Sequence, residues 1–190
     1  MDSLYERSVE LVKEGSLEKA IPLLQEAADL GHAKAQYNLG IFLHQGMGVL
    51  QSSEKAYHYF NLAAEQSHPR ATYMVACYYM LGTVVSQSEE QAAHYFQVAA
   101  GLGNDDAQYN LGVLYLSGKG VVRSEDKAFH YFELAADQGH LDAEYNVGVC
   151  HYLGIGTLPS RDEAIRILEA VVQKKHPKAA AALEAILMSP

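Results

Sequence analysis

Ala35, Ala71, Ala107, Ala143 and Ala179 stand 36 residues apart, and no insertion breaks the interval. Ala56, Ala92, Ala128 and Ala164 keep the same step, as do Tyr37, Tyr73, Tyr109 and Tyr145, and Gly46, Gly82, Gly118 and Gly154. A period in this range is the signature of a repeat architecture, in which one structural unit cannot bury its apolar face alone and must stack on its neighbours.

Each period reads as two helices. Leu39, Phe42 and Leu43 recur at three and four residues between Ala33 and Gln45, the spacing of one helix face. From Ser53 to Gln66, residues Ala56, Tyr59, Phe60, Ala63 and Ala64 form a second face. Ser52, Ser88, Ser124 and Ser160 sit where an N-cap hydroxyl accepts an orphan amide, and Glu54, Glu90, Asp126 and Asp162 follow in the first turn. Gly31, Gly103 and Gly139 suit the left-handed position after a helix, and Pro69 and Pro177 suit the first position of the next. Gly40, Gly112 and Gly148, with Ala76 in the second period, are expected to face Ala56, Ala92, Ala128 and Ala164, so that two backbones approach closely while aromatics fill the space between units.

The fold expected is therefore all-α: a right-handed α/α solenoid of stacked antiparallel helix pairs, five pairs plus a C-terminal capping helix. The divisions are a tetratricopeptide-like pair at 3–31, repeats at 33–67, 69–103, 105–139 and 141–175, and a cap at 177–188. In the first pair the leading helix is in register at 32 residues (Tyr5 to Tyr37), so its loop is four residues shorter. In the cap, Glu184 replaces the small residue, and no helix is expected to follow it there. Leu183, Ile186, Leu187 and Met188 leave two readings open, a packed terminal helix or a self-association patch.

The strings AQYNLGIFLHQGMGV, AQYNLGVLYLSGKGV and AEYNVGVCHYLGIGT, with SSEKAYHYFNLAAEQSH and SEDKAFHYFELAADQGH, closely resemble Sel-one-like repeats, longer-looped relatives of tetratricopeptide repeats. The resemblance is strong over residues 33–176 and departs from pattern at Ala76, at Val84 and in the second helix of the fourth unit. It implies an adaptor, since family members typically nucleate complexes; catalysis is rare, and some cysteine-rich secreted bacterial members have been associated with penicillin binding or β-lactam hydrolysis.

Carrying over the tetratricopeptide groove, which lines the concave side with first helices, implies Lys34, Tyr37, Asn38 and Ile41 in the first repeat. It implies Arg70, Tyr73, Met74, Cys77 and Met80 in the second, and Asp106, Tyr109, Asn110, Val113 and Leu116 in the third. Asp142, Tyr145, Asn146 and Val149 follow in the fourth. Tyr gives contact area at low entropic cost and Asn both donates and accepts, which suits an extended peptide. Each tyrosine taken singly suits packing equally well.

Other chemistry is disfavoured. A formal charge of −9, from 14 basic and 23 acidic residues, opposes nucleic acid and anionic membranes as partners. Cys77 and Cys150, two repeats apart, are expected about 20 Å from each other at about 10 Å per helix pair, too far for a disulfide. That suits a cytoplasmic or other reducing compartment, as does a start without signal-peptide character. His58, His94 and His130 fall on successive units and cannot share a metal ion, while His32, His68, His140 and His176 read as local caps. Cys150 and His151 are adjacent on one helix and point apart. The glycine pairs of GMGV, GKGV and GIGT lack the strand and Lys-Ser/Thr of a phosphate loop. The expectation is a protein or peptide partner or a homo-oligomer, with no metal, cofactor, disulfide or catalytic residue.

Overall fold

The computed structural model describes residues 1–189. Eleven helices are present and no strand occurs among the described residues: α1 (Asp2–Lys13), α2 (Leu17–Asp29), α3 (Ala33–Gln45), α4 (Ser53–Glu65), α5 (Pro69–Leu81), α6 (Glu89–Gly101), α7 (Asp105–Ser117), α8 (Glu125–Asp137), α9 (Leu141–Leu153), α10 (Arg161–Gln173) and α11 (Ala179–Met188). Helices consecutive in the chain pack against each other within two compact units, Met1–Leu102 (α1–α6) and a second from Gly103 onward (α7–α11). This is an all-α solenoid built of helix pairs.

Capping chemistry sets the helix ends. The second helices α4, α6, α8 and α10 start at Ser52, Ser88, Ser124 and Ser160, whose hydroxyls accept from the amides of Lys55, Gln91, Lys127 and Glu163. The first helices use a different group: His32, His68 and His140 accept through Nδ1 from Ala35, Ala71 and Ala143, and Asn104 Oδ1 accepts from Ala107 at 2.7 Å. Each of α3, α5, α7 and α9 ends on a glycine with φ near +70°, a conformation that costs other residues about 1–2 kcal/mol. Ser67 and Lys175 take up that left-handed conformation after α4 and α10, where glycine serves the other second helices. Val84 has no such conformation, so the loop after α5 departs from its relatives at the residue where glycine is missing. Pro177 lies in a turn, and α11 begins two residues further on than a proline start would give.

Within a pair, the glycine of the first helix meets a ring and not an alanine. A Cβ on Gly40 would stand 2.6 Å from Phe60 Cε1, and one on Gly112 the same distance from Phe132 Cε1. Phe60 and Phe132 are fully buried. The expected glycine–alanine facing is thus corrected: Ala56 and Ala128 are buried as well, but the missing side chain is what seats the aromatic of the same pair. In α9 the opposing residue is Leu168, and the clearance at Gly148 rises to 3.0 Å.

A polar pair recurs beside this contact. Gln66 Nε2 donates to Gln36 Oε1 at 2.8 Å, and Gln138 Nε2 to Gln108 Oε1 at 2.7 Å. In the last pair the same register holds Lys174, which donates to both carboxylate oxygens of Glu144 at 2.6 and 2.7 Å.

Replacing Gly112 with Ala forces a methyl into the Phe132 ring and is expected to cost about 1–3 kcal/mol. Gly148→Ala, against the more compliant Leu168, should cost less. Urea unfolding of the two variants checks the order, and equal losses would refute the ring as the cause.

Candidate partner-binding surface

All eighteen residues placed on the first-helix face by sequence remain at least partly accessible. In the first unit α3 carries Lys34, Tyr37, Asn38 and Ile41, and α5 carries Arg70, Tyr73, Met74, Cys77 and Met80. In the second, α7 carries Asp106, Tyr109, Asn110, Val113 and Leu116, and α9 carries Asp142, Tyr145, Asn146 and Val149. Lys34, Arg70, Asp106, Asp142 and Val113 are exposed, and the others are half-buried.

The tyrosines are largely occupied in packing. Tyr5 stacks on His32 with ring centroids 4.4 Å apart, Tyr37 on His68 at 4.8 Å, and Tyr109 on His140 and Tyr145 on His176 at 4.6 Å. Each of these histidines opens the helix or turn that follows the tyrosine's own pair, so the stack ties successive pairs together. Tyr73, one register step from Tyr37, packs against Phe96 at 5.7 Å. The asparagines are engaged too: Asn38 Nδ2 donates to Tyr5 Oη at 3.3 Å, and Asn110 Nδ2 to the Asp106 carbonyl at 2.8 Å. The face also carries an apolar register, Ile41, Cys77, Val113 and Val149, that stays at least partly accessible, with Ile41 packed in part against the core.

Because Nδ1 of each capping histidine accepts an amide proton, its own proton lies on Nε2. There Asp2, Asp106 and Asp142 approach His32, His140 and His176 at 3.4, 3.5 and 2.9 Å. His68 has cations instead. Burial first, then the charges of Arg70 and Lys34, hold its pKa below the ordinary 6.5. Burial is also the main reason that the Tyr109 hydroxyl titrates above its usual range, with Asp142 adding to it.

Two clefts stand out. In the first unit Ser8, Val9, Val12 and Lys13 of α1, Asn38, Ile41 and Phe42 of α3 and Leu24 of α2 line a mainly apolar cleft of about 330 Å³. In the second unit α8, α9 and α10 border a polar cleft with Glu133, Glu144, His151, Glu163 and Arg166 on its walls. There Arg166 pairs with Glu163. Sequence reading found neither cleft, nor the recurring polar pair. The pair had left a signal in the 30-residue spacing of Gln36/Gln66, Gln108/Gln138 and Glu144/Lys174.

Nucleophilic chemistry finds little support in the cysteines. Cys150 is buried, and burial pushes its thiol up to about 11. Thiolate character is what makes cysteine reactive. Its neighbour His151 turns an edge to Phe129, and its buried Nδ1 has no hydrogen-bond partner among the described residues. No disulfide joins Cys77 and Cys150. Among the described residues no helix is long and apolar enough to cross a membrane. In α11, Ile186 is a core residue at 3% exposure and Leu183 packs beside it, while Leu187 and Met188 are 55% and 76% exposed.

A tandem of capped helix pairs packed in sequence defines a tetratricopeptide-like repeat protein. The Sel1 repeat model matches residues 4–32, 33–68, 69–104, 105–140 and 141–170. The chain belongs to the Sel1 repeat family. Its fold is similar to that of a Sel1 repeat protein from Oxalobacter formigenes (TM-score 0.87, 26% identity, covering 97% of this chain and 77% of that one). It is also similar to c5321, a protective antigen of uropathogenic Escherichia coli with an SLR fold (TM-score 0.80, 31% identity). That match covers 84% of this chain but spans only 34% of the antigen. Helicobacter pylori cysteine rich protein B matches with TM-score 0.54 and 28% identity over 67% of this chain and 91% of its own length. No curated protein matches. Sel1 repeat proteins are generally scaffolds for protein interaction, and the family is typically non-enzymatic.

The His68 cap makes stability depend on pH. A lowered folded pKa means that the unfolded chain binds the proton first. The contribution is full above pH 6.5 and is lost as pH falls through the folded value. His68→Asn keeps an acceptor for the Ala71 amide, as Asn104 does for Ala107, but loses the Tyr37 stack, worth about 1 kcal/mol. Its urea midpoint should start lower at pH 7 and fall less steeply towards pH 5 than that of the wild type; parallel curves would clear His68 of the effect.

Proposed function

We propose that this chain is a non-catalytic adaptor that binds a protein or peptide segment on the first-helix faces of its repeats. One observation carries the reading. Ile41, Cys77, Val113 and Val149 occupy one register, are apolar in every repeat, and stay accessible in all four, Val113 to 39%. Ile41 packs in part against the core, whereas Leu39 and Leu111, two residues earlier in α3 and α7, are fully buried. Apolar side chains kept at a surface, rimmed by charged ones, are the usual core-and-rim makeup of a recognition site.

The charged rim differs between the two units. At one register the first unit carries Lys34 and Arg70 and the second carries Asp106 and Asp142. The first unit's face therefore favours acidic neighbours in the partner, and the second unit's favours basic ones. The formal charge of −9 speaks against nucleic acid as that partner. Proteins of this family generally serve as interaction scaffolds, and the thiol of Cys150, held protonated by burial, supports an adaptor over a hydrolase.

A second reading, self-assembly through α11, draws on exposed Leu187 and Met188 beside exposed Ala180, Ala181 and Ala185. Leu187→Asp with Met188→Asp would then convert an oligomer to monomer in light scattering; a wild-type monomer at high concentration removes this reading.

For the adaptor, Val113→Asp is the direct test, since that side chain is exposed and the helix tolerates the change. Affinity capture from the source cell with mass spectrometry should lose its specific partner at least tenfold while circular dichroism is unaltered. Retention of the full partner signal would sink the first-helix face of the second unit.

A further inference from the structure

The apolar cleft of the first unit lies where the repeat rule fails. Between α3 and α5 the corresponding space is closed: Tyr78 is 4% exposed, and its hydroxyl is hydrogen-bonded to His44 Nδ1 at 3.0 Å. One repeat earlier, the 32-residue register of α1 puts Val12 where His44 stands, and the 36-residue step puts Phe42 where Tyr78 stands. Neither can make the closing hydrogen bond. Val9, Val12, Ile41 and Phe42 stay partly exposed above Leu24, which is 1% exposed and forms the floor.

The one charge lining the cleft is Lys13. It is exposed, and no ion-pair partner for it exists among the described residues. Glu10 of α1 is paired with Arg7 at 2.8 Å. Lys13 belongs to the last turn of α1, where the carbonyl end of the helix favours a cation. In a chain with an overall excess of acid, this apolar hollow is edged by an unneutralised ammonium.

We propose that the α1–α3 cleft is the anchor pocket of the partner surface, taking one bulky aliphatic or aromatic side chain whose neighbouring carboxylate pairs with Lys13. The assignment rests on the reading that partners dock on first helices, and it adds the chemistry of the docked segment: apolar next to acidic. An apolar residue followed by a lysine or arginine would meet Lys13 with like charge and be rejected.

Two small probes test it on the full chain. 4-Methylpentanoate carries a leucine-like branch and a carboxylate, and 3-methylbutylamine carries the same branch and an ammonium. Titration followed by amide chemical shifts should show saturable changes at Val12, Lys13, Ile41 and Phe42 with the carboxylate, and at least threefold weaker binding of the amine. Val12→His with Phe42→Tyr rebuilds the Tyr78–His44 closure and should weaken the carboxylate probe at least tenfold in a folded protein. Ile41→Trp fills the cleft by a different route and should do the same if the double variant does not fold. Lys13→Gln should erase the preference for the carboxylate. Equal binding of both probes, or undiminished binding in the filled variants, overturns the proposal. A filled variant that still captures the cellular partner, when Val113→Asp does not, removes the anchor and leaves the adaptor reading standing.

Discussion

The close approach of a side-chain-free helix surface to a buried ring governs everything else in this protein. At Gly40 and Gly112 the Phe60 and Phe132 rings come within a distance that no Cβ could share. Protein interiors are packed to crystal-like density, so a contact of this kind fixes the separation of two helices to a few tenths of an ångström. Pairs made to one gauge can be stacked in series, and a chain that keeps the gauge keeps its interval. Ala76, at the same register in α5 opposite the buried Phe96, shows that the gauge is a preference of the architecture that one repeat can relax.

Stacking of one pair on the next relies on a second device, in which a single imidazole does three things. Its Nδ1 caps the helix or turn that it opens, its face receives the tyrosine of the pair before, and its Nε2 proton is turned towards an aspartate at Asp2, Asp106 or Asp142. Where lysine and arginine stand at that register, as around His68, the imidazole is held neutral by burial and by like charge. The charge pattern on the outer surface is thus coupled to the chemistry of the junctions, and a substitution made at the rim to alter a partner would also be felt at a cap.

Periodicity made most of the fold legible, because a fixed interval needs only residue identities. The starts of α4, α6, α8 and α10 followed from serine, and the ends of α3, α5, α7 and α9 from glycine. The pairing of Gly40 was misjudged because sequence shows which residues are small but not which residue fills the space they leave; alanine and phenylalanine, four residues apart on α4, share the face that meets it. The tyrosine row was readable as a row. Its role was not, since the stacking histidine lies in the next repeat and a cap and a stacking partner leave the same single letter.

The same logic explains why the accessible apolar register carries more functional weight than the aromatics. An aromatic consumed in a junction, as Tyr37 is by His68, cannot change without loosening the stack, so its presence in every repeat follows from the fold alone. Val113, 39% exposed, is under no such compulsion: a polar residue there would cost the fold little burial and would gain solvation. An apolar side chain kept at that accessible position fits the proposed contact with a partner. The first unit follows the same rule at Val9 and Val12, where the closing tyrosine–histidine bond of the next repeat is missing and the hollow stays lined with hydrocarbon.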